Sequence, residues 1–154
     1  MLARRGTEHP ATVISLNNLA SFLHERGRFD ESEGLYRRAL ESSESARPGH
    51  PHTLTTIHNL AGLLRSRGQY SEAEQMNRRV LHVREGLLGL EHPDTLLSAD
   101  NLAEVLYAKG EYAESESLYR RALEGRRALL GEEHPDTMTS LSHLAMLLRP
   151  SVPT

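Results

Sequence analysis

Apolar residues recur three and four positions apart in successive stretches of the chain, and each stretch reads as one amphipathic helix. The first holds Leu16, Leu19, Ala20 and Leu23, the second Ile57, Leu60, Ala61 and Leu64, the third Ala99, Leu102, Ala103 and Leu106. His-Pro introduces each of them, at His9-Pro10, His50-Pro51 and His92-Pro93, and occurs once more at His134-Pro135. Proline suits the first helical turn, where its missing N–H is not needed and its φ is already set. Asp94 and Asp136 add negative charge at that positive helix end. Gly27, Gly68 and Gly110 then stand where a left-handed residue ends a helix.

A second helix follows the aromatic residue after each glycine, starting near Asp30, Ser71 and Ala113. Its predicted buried face is Leu35, Tyr36, Ala39 and Leu40, then Met76, Asn77, Val80 and Leu81, then Leu118, Tyr119, Ala122 and Leu123. Glu33 with Arg37, Glu74 with Arg78 and Glu116 with Arg120 occupy the opposite face. Acid before base at i,i+4 is the favourable order, so this face reads as solvated and self-paired.

These landmarks stay in phase. The His-Pro pairs are 41, 42 and 42 residues apart, and Asn-Leu-Ala follows at Asn18, Asn59 and Asn101, with His143-Leu144-Ala145 in the fourth copy. A fixed period of this size means a solenoid, in which each repeat buries its apolar face against its neighbours. The expected map is a single array over residues 1–149. Residues 1–6 end a preceding helix, repeats span 9–47, 50–89 and 92–131, a half repeat spans 134–149, and 150–154 form a tail. The first repeat lacks the Leu-Leu-Gly of Leu87-Leu88-Gly89 and Leu129-Leu130-Gly131. Its second helix should therefore end before Pro48, leaving the weakest junction between repeats one and two.

Two-helix units with a small residue on the first helix, Gly-x-Tyr at the turn and Ala and Tyr on the second resemble tetratricopeptide repeats, whose general unit is about 34 residues. HPDT, NLA and GEYAESESLYRRALEGRRALLG at a longer period are similar to the kinesin-light-chain type, with its longer second helix. The resemblance covers nearly the whole chain. It implies an all-α, right-handed superhelical solenoid of antiparallel helix pairs, and a structural role for Asn18, Asn59 and Asn101, bonding backbone between helices. Such arrays serve as non-enzymatic protein- or peptide-binding scaffolds or adaptors. An alternative is a sensor or oligomerisation segment of a larger nucleotide-binding signalling protein, although no G-x-x-x-x-G-K-[ST] occurs here.

Composition narrows the chemistry. The chain has 154 residues, no cysteine and a net charge of −3. Disulfides and thiolate metal sites are excluded, a reducing cytoplasmic setting is compatible, and nothing draws the chain generally to nucleic acid. No apolar run of membrane length occurs. His50, His52 and His58 lie close together, but no cysteine or nearby carboxylate pair completes a zinc set. Neither a cofactor nor a catalytic site is expected: there is no G-x-S-x-G elbow, and the recurring carboxylates lie on an outer face.

Comparing the repeats with one another exposes the positions that the scaffold leaves free. On the first helix these are Asn17, Ser21 and His24, then His58, Gly62 and Arg65, then Asp100, Glu104 and Tyr107, then Ser142, Met146 and Arg149. Their i, i+4, i+7 spacing places each trio along one helical face. In arrays of the resembled family that face lines the concave, ligand-binding groove. Asp100 and Glu104 would attract a basic segment of a protein ligand, with Tyr107 stacking on its cation, and would repel the carboxylates that chaperone-clamping repeats hold. The last helix carries Leu141, Leu144, Leu147 and Leu148, more than one neighbour can cover, so self-association through that end, or its burial by a missing segment, is also expected.

Overall fold

A computed structural model describes residues 10–46 and 51–149. All of the regular structure among them is helical: α1 Pro10–Glu25, α2 Phe29–Ala46, α3 Pro51–Ser66, α4 Tyr70–Leu88, α5 Pro93–Lys109, α6 Tyr112–Leu130 and α7 Pro135–Leu148. Expected segments 1–6 and 150–154, and His50 of the histidine cluster, lie outside the described residues. The second helices begin on the aromatic residue itself, one position earlier than the sequence pattern places them. α2 ends at Ala46, before Pro48, as expected.

The His-Pro landmark is a capping device. His92 and His134 are extended N-cap residues, and each Nδ1 accepts the backbone N–H two residues on, from Asp94 at 3.0 Å and from Asp136 at 3.1 Å. The imidazole thus does the work usually given to a Ser or Asp oxygen, satisfying one of the four orphan donors of a helix start. His92→Ala should lower stability by about 1 kcal/mol, and His92→Asn should recover most of it, in paired thermal melts. At the other end Gly110 has φ 85°, and the next amide, Glu111 N–H, donates back to Leu106 O at 2.8 Å. Arg28 to Leu23 and Gln69 to Leu64 repeat that bond at 2.9 and 2.8 Å, so the same left-handed turn closes all three first helices.

The chain divides into two compact units, residues 1–80 and 81–154, with the boundary inside α4. In the first, α1 packs on α2 and both contact α3. Ala20 is fully buried, and the Ser32 hydroxyl donates to its carbonyl at 2.6 Å, which holds the two helices at close range. Tyr36 and Ala39 complete the buried side of α2, and Ile57, Leu60, Ala61 and Leu64 are all buried on α3. Leu19 departs from expectation at 49% exposed, whereas its counterpart Leu60 is at 0%. α3 has α1 and α2 to cover it, and among the described residues no helix lies on the corresponding side of α1.

In the second unit, α6 packs on both α5 and α7. Its core gathers Leu81, Ala99, Leu102, Ala103, Leu106, Leu118, Tyr119, Leu123 and Leu144. Ser115 donates to Ala103 O at 2.7 Å, repeating the bond from Ser32 to Ala20. Gly125 lets α6 approach α5 closely, since a Cβ there would sit 2.6 Å from Leu96 Cδ1.

A second recurring contact sets one repeat against the next. Arg84 Nη1 donates to Ser98 Oγ and Arg126 Nη1 to Ser140 Oγ, both at 2.7 Å. Arg126 is only 8% exposed, and burial pushes the Arg84 guanidinium below its ordinary pKa, with Asp94 opposing. The matching position on α2 is Ser43, whose hydroxyl turns back to Leu40 O at 3.3 Å. The first repeat therefore lacks this staple.

Candidate functional site

The outer faces of the second helices behave as their charge pattern implies. Arg37 pairs with Glu33 at 2.9 Å, Arg78 with Glu74 at 2.8 Å and Arg120 with Glu116 at 2.9 Å. In the first unit Arg67 extends the pairing to Asp30 at 2.7 Å and to Glu33 at 2.9 Å, and Arg37 also reaches Glu72 at 2.9 Å. Arginines whose charge is already matched this way offer little net attraction to a polyanion.

The first-helix faces differ. In the first unit, Ser21 is half-buried and hydrogen-bonds the Tyr36 side chain. His24 Nε2 lies 3.3 Å from Ser66 Oγ, which donates to Gly62 O at 3.1 Å. A Cβ on Gly62 would meet nothing within 4 Å, so the surface there is open. Arg65 is exposed beside it and His58 is half-buried. Asn17 is not part of this open surface. It is 9% exposed, and its amide donates to Val13 O at 3.2 Å and to Thr56 Oγ1 at 2.8 Å, tying α1 to α3. The bridging asparagine here is thus Asn17, while Asn18 is exposed and Asn59 half-buried.

In the second unit Glu104 and Tyr107 lie half-buried on the α5 face. The Tyr107 ring sits 5.5 Å from that of Tyr112, as His24 sits 5.6 Å from Phe29 two repeats earlier. In the first and third repeats the turn aromatic therefore backs the ring that ends the trio. Asp100, read from sequence as a partner for a ligand cation, is 5% exposed. Its carboxylate lies 3.2 Å from His143 Nδ1, which places it in the α5–α7 contact rather than at the open face. The His143 ring also rests 5.3 Å from Tyr119.

His52 is exposed and, among the described residues, no group of three or more His, Asp or Glu is placed to hold a metal ion. No helix among them is long and apolar enough to cross a membrane. Two further features carry a signal in the sequence beyond its motifs. Arg84 and Arg126, and with them Ser98 and Ser140, recur 42 residues apart, and that joint recurrence marks them as partners.

Repeated helix pairs and a glycine-closed turn define a helical-repeat protein. Two tetratricopeptide repeat family models match, one over residues 11–86 and the other over residues 95–136. The chain belongs to the tetratricopeptide repeat family. Among solved structures it is similar to the nearly identical TPR-like repeats of a Podosopora anserina protein assigned as a kinesin light chain. That match has 28% identity and a TM-score of 0.83, and covers 91% of this chain and 67% of the other. BtubC (BKLC) from P. vanneervenii matches with 25% identity and a TM-score of 0.77, over 89% of this chain and 54% of its own. The first TPR of Spaghetti bound to the HSP90 peptide SRMEEVD shares the fold, at 14% identity and a TM-score of 0.64, over 91% of this chain and 95% of that one. This chain thus spans about two thirds of the Podosopora protein and just over half of BtubC. Among curated proteins, none matches it.

Proposed function

We propose that the chain is a non-enzymatic binding scaffold that takes an extended or helical protein segment against its first-helix faces. The observation that carries this reading is the shape of the first-helix faces, open at Gly62 in one unit and carrying a Tyr107 ring backed by Tyr112 in the other. Outer-face arginines are matched by glutamates, and Asn17 and Asp100 are spent on helix-to-helix bonds. The first-helix faces keep an opening at Gly62 beside Arg65 in one unit, and Glu104 beside a ring-backed Tyr107 in the other. The α5 face suits a Lys or Arg of the ligand, with its cation over Tyr107 and its charge toward Glu104. A cysteine-free chain with no membrane-crossing helix among its described residues suits work in the cytoplasm.

Two fluorescent peptides test the proposal, one alternating Lys and Leu, the other the acidic SRMEEVD. The basic peptide should bind modestly and weaken as salt rises, and the acidic one should not bind, because exposed pairs are weak and screened. Glu104→Lys should weaken the basic peptide about 3- to 10-fold, from the loss of one exposed pair and its replacement by repulsion. Glu74→Lys on the outer face should leave affinity unchanged. Equal losses from both substitutions would place the ligand elsewhere, and preference for the acidic peptide would overturn the charge assignment.

A further inference from the structure

At the end of α5 opposite Tyr107, the first turns of α5 and α7 meet the last turn of α6 around an open cavity of about 310 Å³. That volume stands at the small end of the range for ligand pockets (~300–1,000 Å³). Leu97, Leu129 and Leu130 give it an apolar wall, and Leu97 and Leu129 are 38% and 51% exposed. Asp94 and Asp136 line it as well, and both are exposed. The remaining polar group is of another kind: Arg126, also part of the wall, is only 8% exposed.

Arg126 is a buried cation that no carboxylate of the described residues pairs with. Its hydrogen bonds all leave from Nη1, to Ser140 Oγ at 2.7 Å and to Asp136 O at 3.4 Å. On Arg37 and Arg120 the Nε–Nη2 edge grips the carboxylates of Glu33 and Glu116. On Arg126 the same edge carries no bond to a described residue. A buried guanidinium without a counter-ion is costly, and this planar fork matches a carboxylate, so an anionic group entering the cavity gains a strong partner. An anion alone would meet Asp94 and Asp136, and a cation alone would meet Arg126. A ligand that carries both charges beside an apolar group answers every wall at once. We infer that the cavity binds a free α-amino acid with an apolar side chain of about leucine size. Its carboxylate takes the Nε–Nη2 edge of Arg126, its ammonium turns to Asp94 and Asp136, and its side chain rests on Leu97, Leu129 and Leu130. The site is separate from the first-helix trios and adds a small-molecule ligand to a peptide-binding array.

So small a ligand in an open cavity should bind with a Kd on the order of 1 mM. In amide NMR spectra of the labelled protein, L-leucine should shift Asp94, Leu97, Leu129 and Asp136 and their chain neighbours, and saturate. Two probes dissect the charges. Isocaproate lacks the ammonium and isoamylamine lacks the carboxylate, and each should bind about 10-fold more weakly than leucine, from the loss of one charged hydrogen-bonding group. Because Arg126 also holds Ser140, the site is altered at exposed positions instead. Asp94→Asn with Asp136→Asn should weaken leucine about 10-fold and leave isocaproate no weaker than before. Leu129→Glu should abolish the leucine shifts by setting an anion beside the ligand's carboxylate. Circular dichroism of both variants should match wild type, since all three positions are exposed. No shift with leucine even near its solubility limit, a single-charge analogue that binds as tightly as leucine, or shifts that survive Leu129→Glu would each overturn the inference.

Discussion

Leu106→Ala should lower the free energy of unfolding by about 2–5 kcal/mol, whereas Leu148→Ala, at the same place one repeat later, should change it by no more than about 0.5 kcal/mol. The residue and its helical register are the same in both, and only the cover differs. Leu106 is fully buried in the cluster with Leu102, Leu118 and Tyr119, so truncation leaves a cavity that the neighbouring helices cannot fill. Leu148 is 47% exposed, and water already reaches the space that the truncation would vacate. Urea denaturation at low protein concentration, where self-association plays no part, checks both values. Equal destabilisation would mean that α7 is covered as α5 is.

Asp100→Lys should cost about 3 kcal/mol or more, enough to unfold the second unit, while Glu104→Lys on the same helix should leave its melting temperature within a few degrees of wild type. Asp100 is 5% exposed and hydrogen-bonded to His143, so an ammonium placed there would be buried facing an imidazole with no anion to match it. Glu104 is half-buried and can turn a longer side chain toward water. Circular dichroism melts of both variants decide the matter. Cooperative, wild-type-like unfolding of Asp100→Lys would show that the carboxylate faces solvent after all.

That contrast also marks how far the sequence could be read. Period, helix pairs, left-handed glycines and the Glu-Arg pairs of the outer faces were legible, because each repeats and each depends on contacts within one or two helical turns. Asn17 and Asp100 misled for a definable reason. Comparison of the repeats treats a position that differs between them as free of the scaffold. Asn17 bonds Thr56 and Asp100 bonds His143, and both partners lie in the following repeat at different register positions, about 40 residues away along the chain. A residue that differs between repeats can thus still be part of the framework, through a contact to the next repeat that only coordinates reveal. Leu19 misled differently, since helical periodicity reports which face is apolar and not whether a neighbour covers it. Capping by His92 and His134 was masked by the proline that follows each, which explains a helix start by itself.

The arginine staples have a consequence for how such a chain can grow. Arg84 and Arg126 each reach forward to a serine in the next repeat, Ser98 and Ser140, at a single fixed offset along the chain. A duplicated segment keeps this staple on both sides only if it carries its own serine in and its own arginine out, which means a whole repeat. Copies of the second or third repeat meet that condition at their outgoing end, and a copy of the first, with Ser43 in the arginine's place, does not. Lengthening by gene duplication from the later repeats therefore keeps the staple at each new outgoing junction, and lengthening from the first does not.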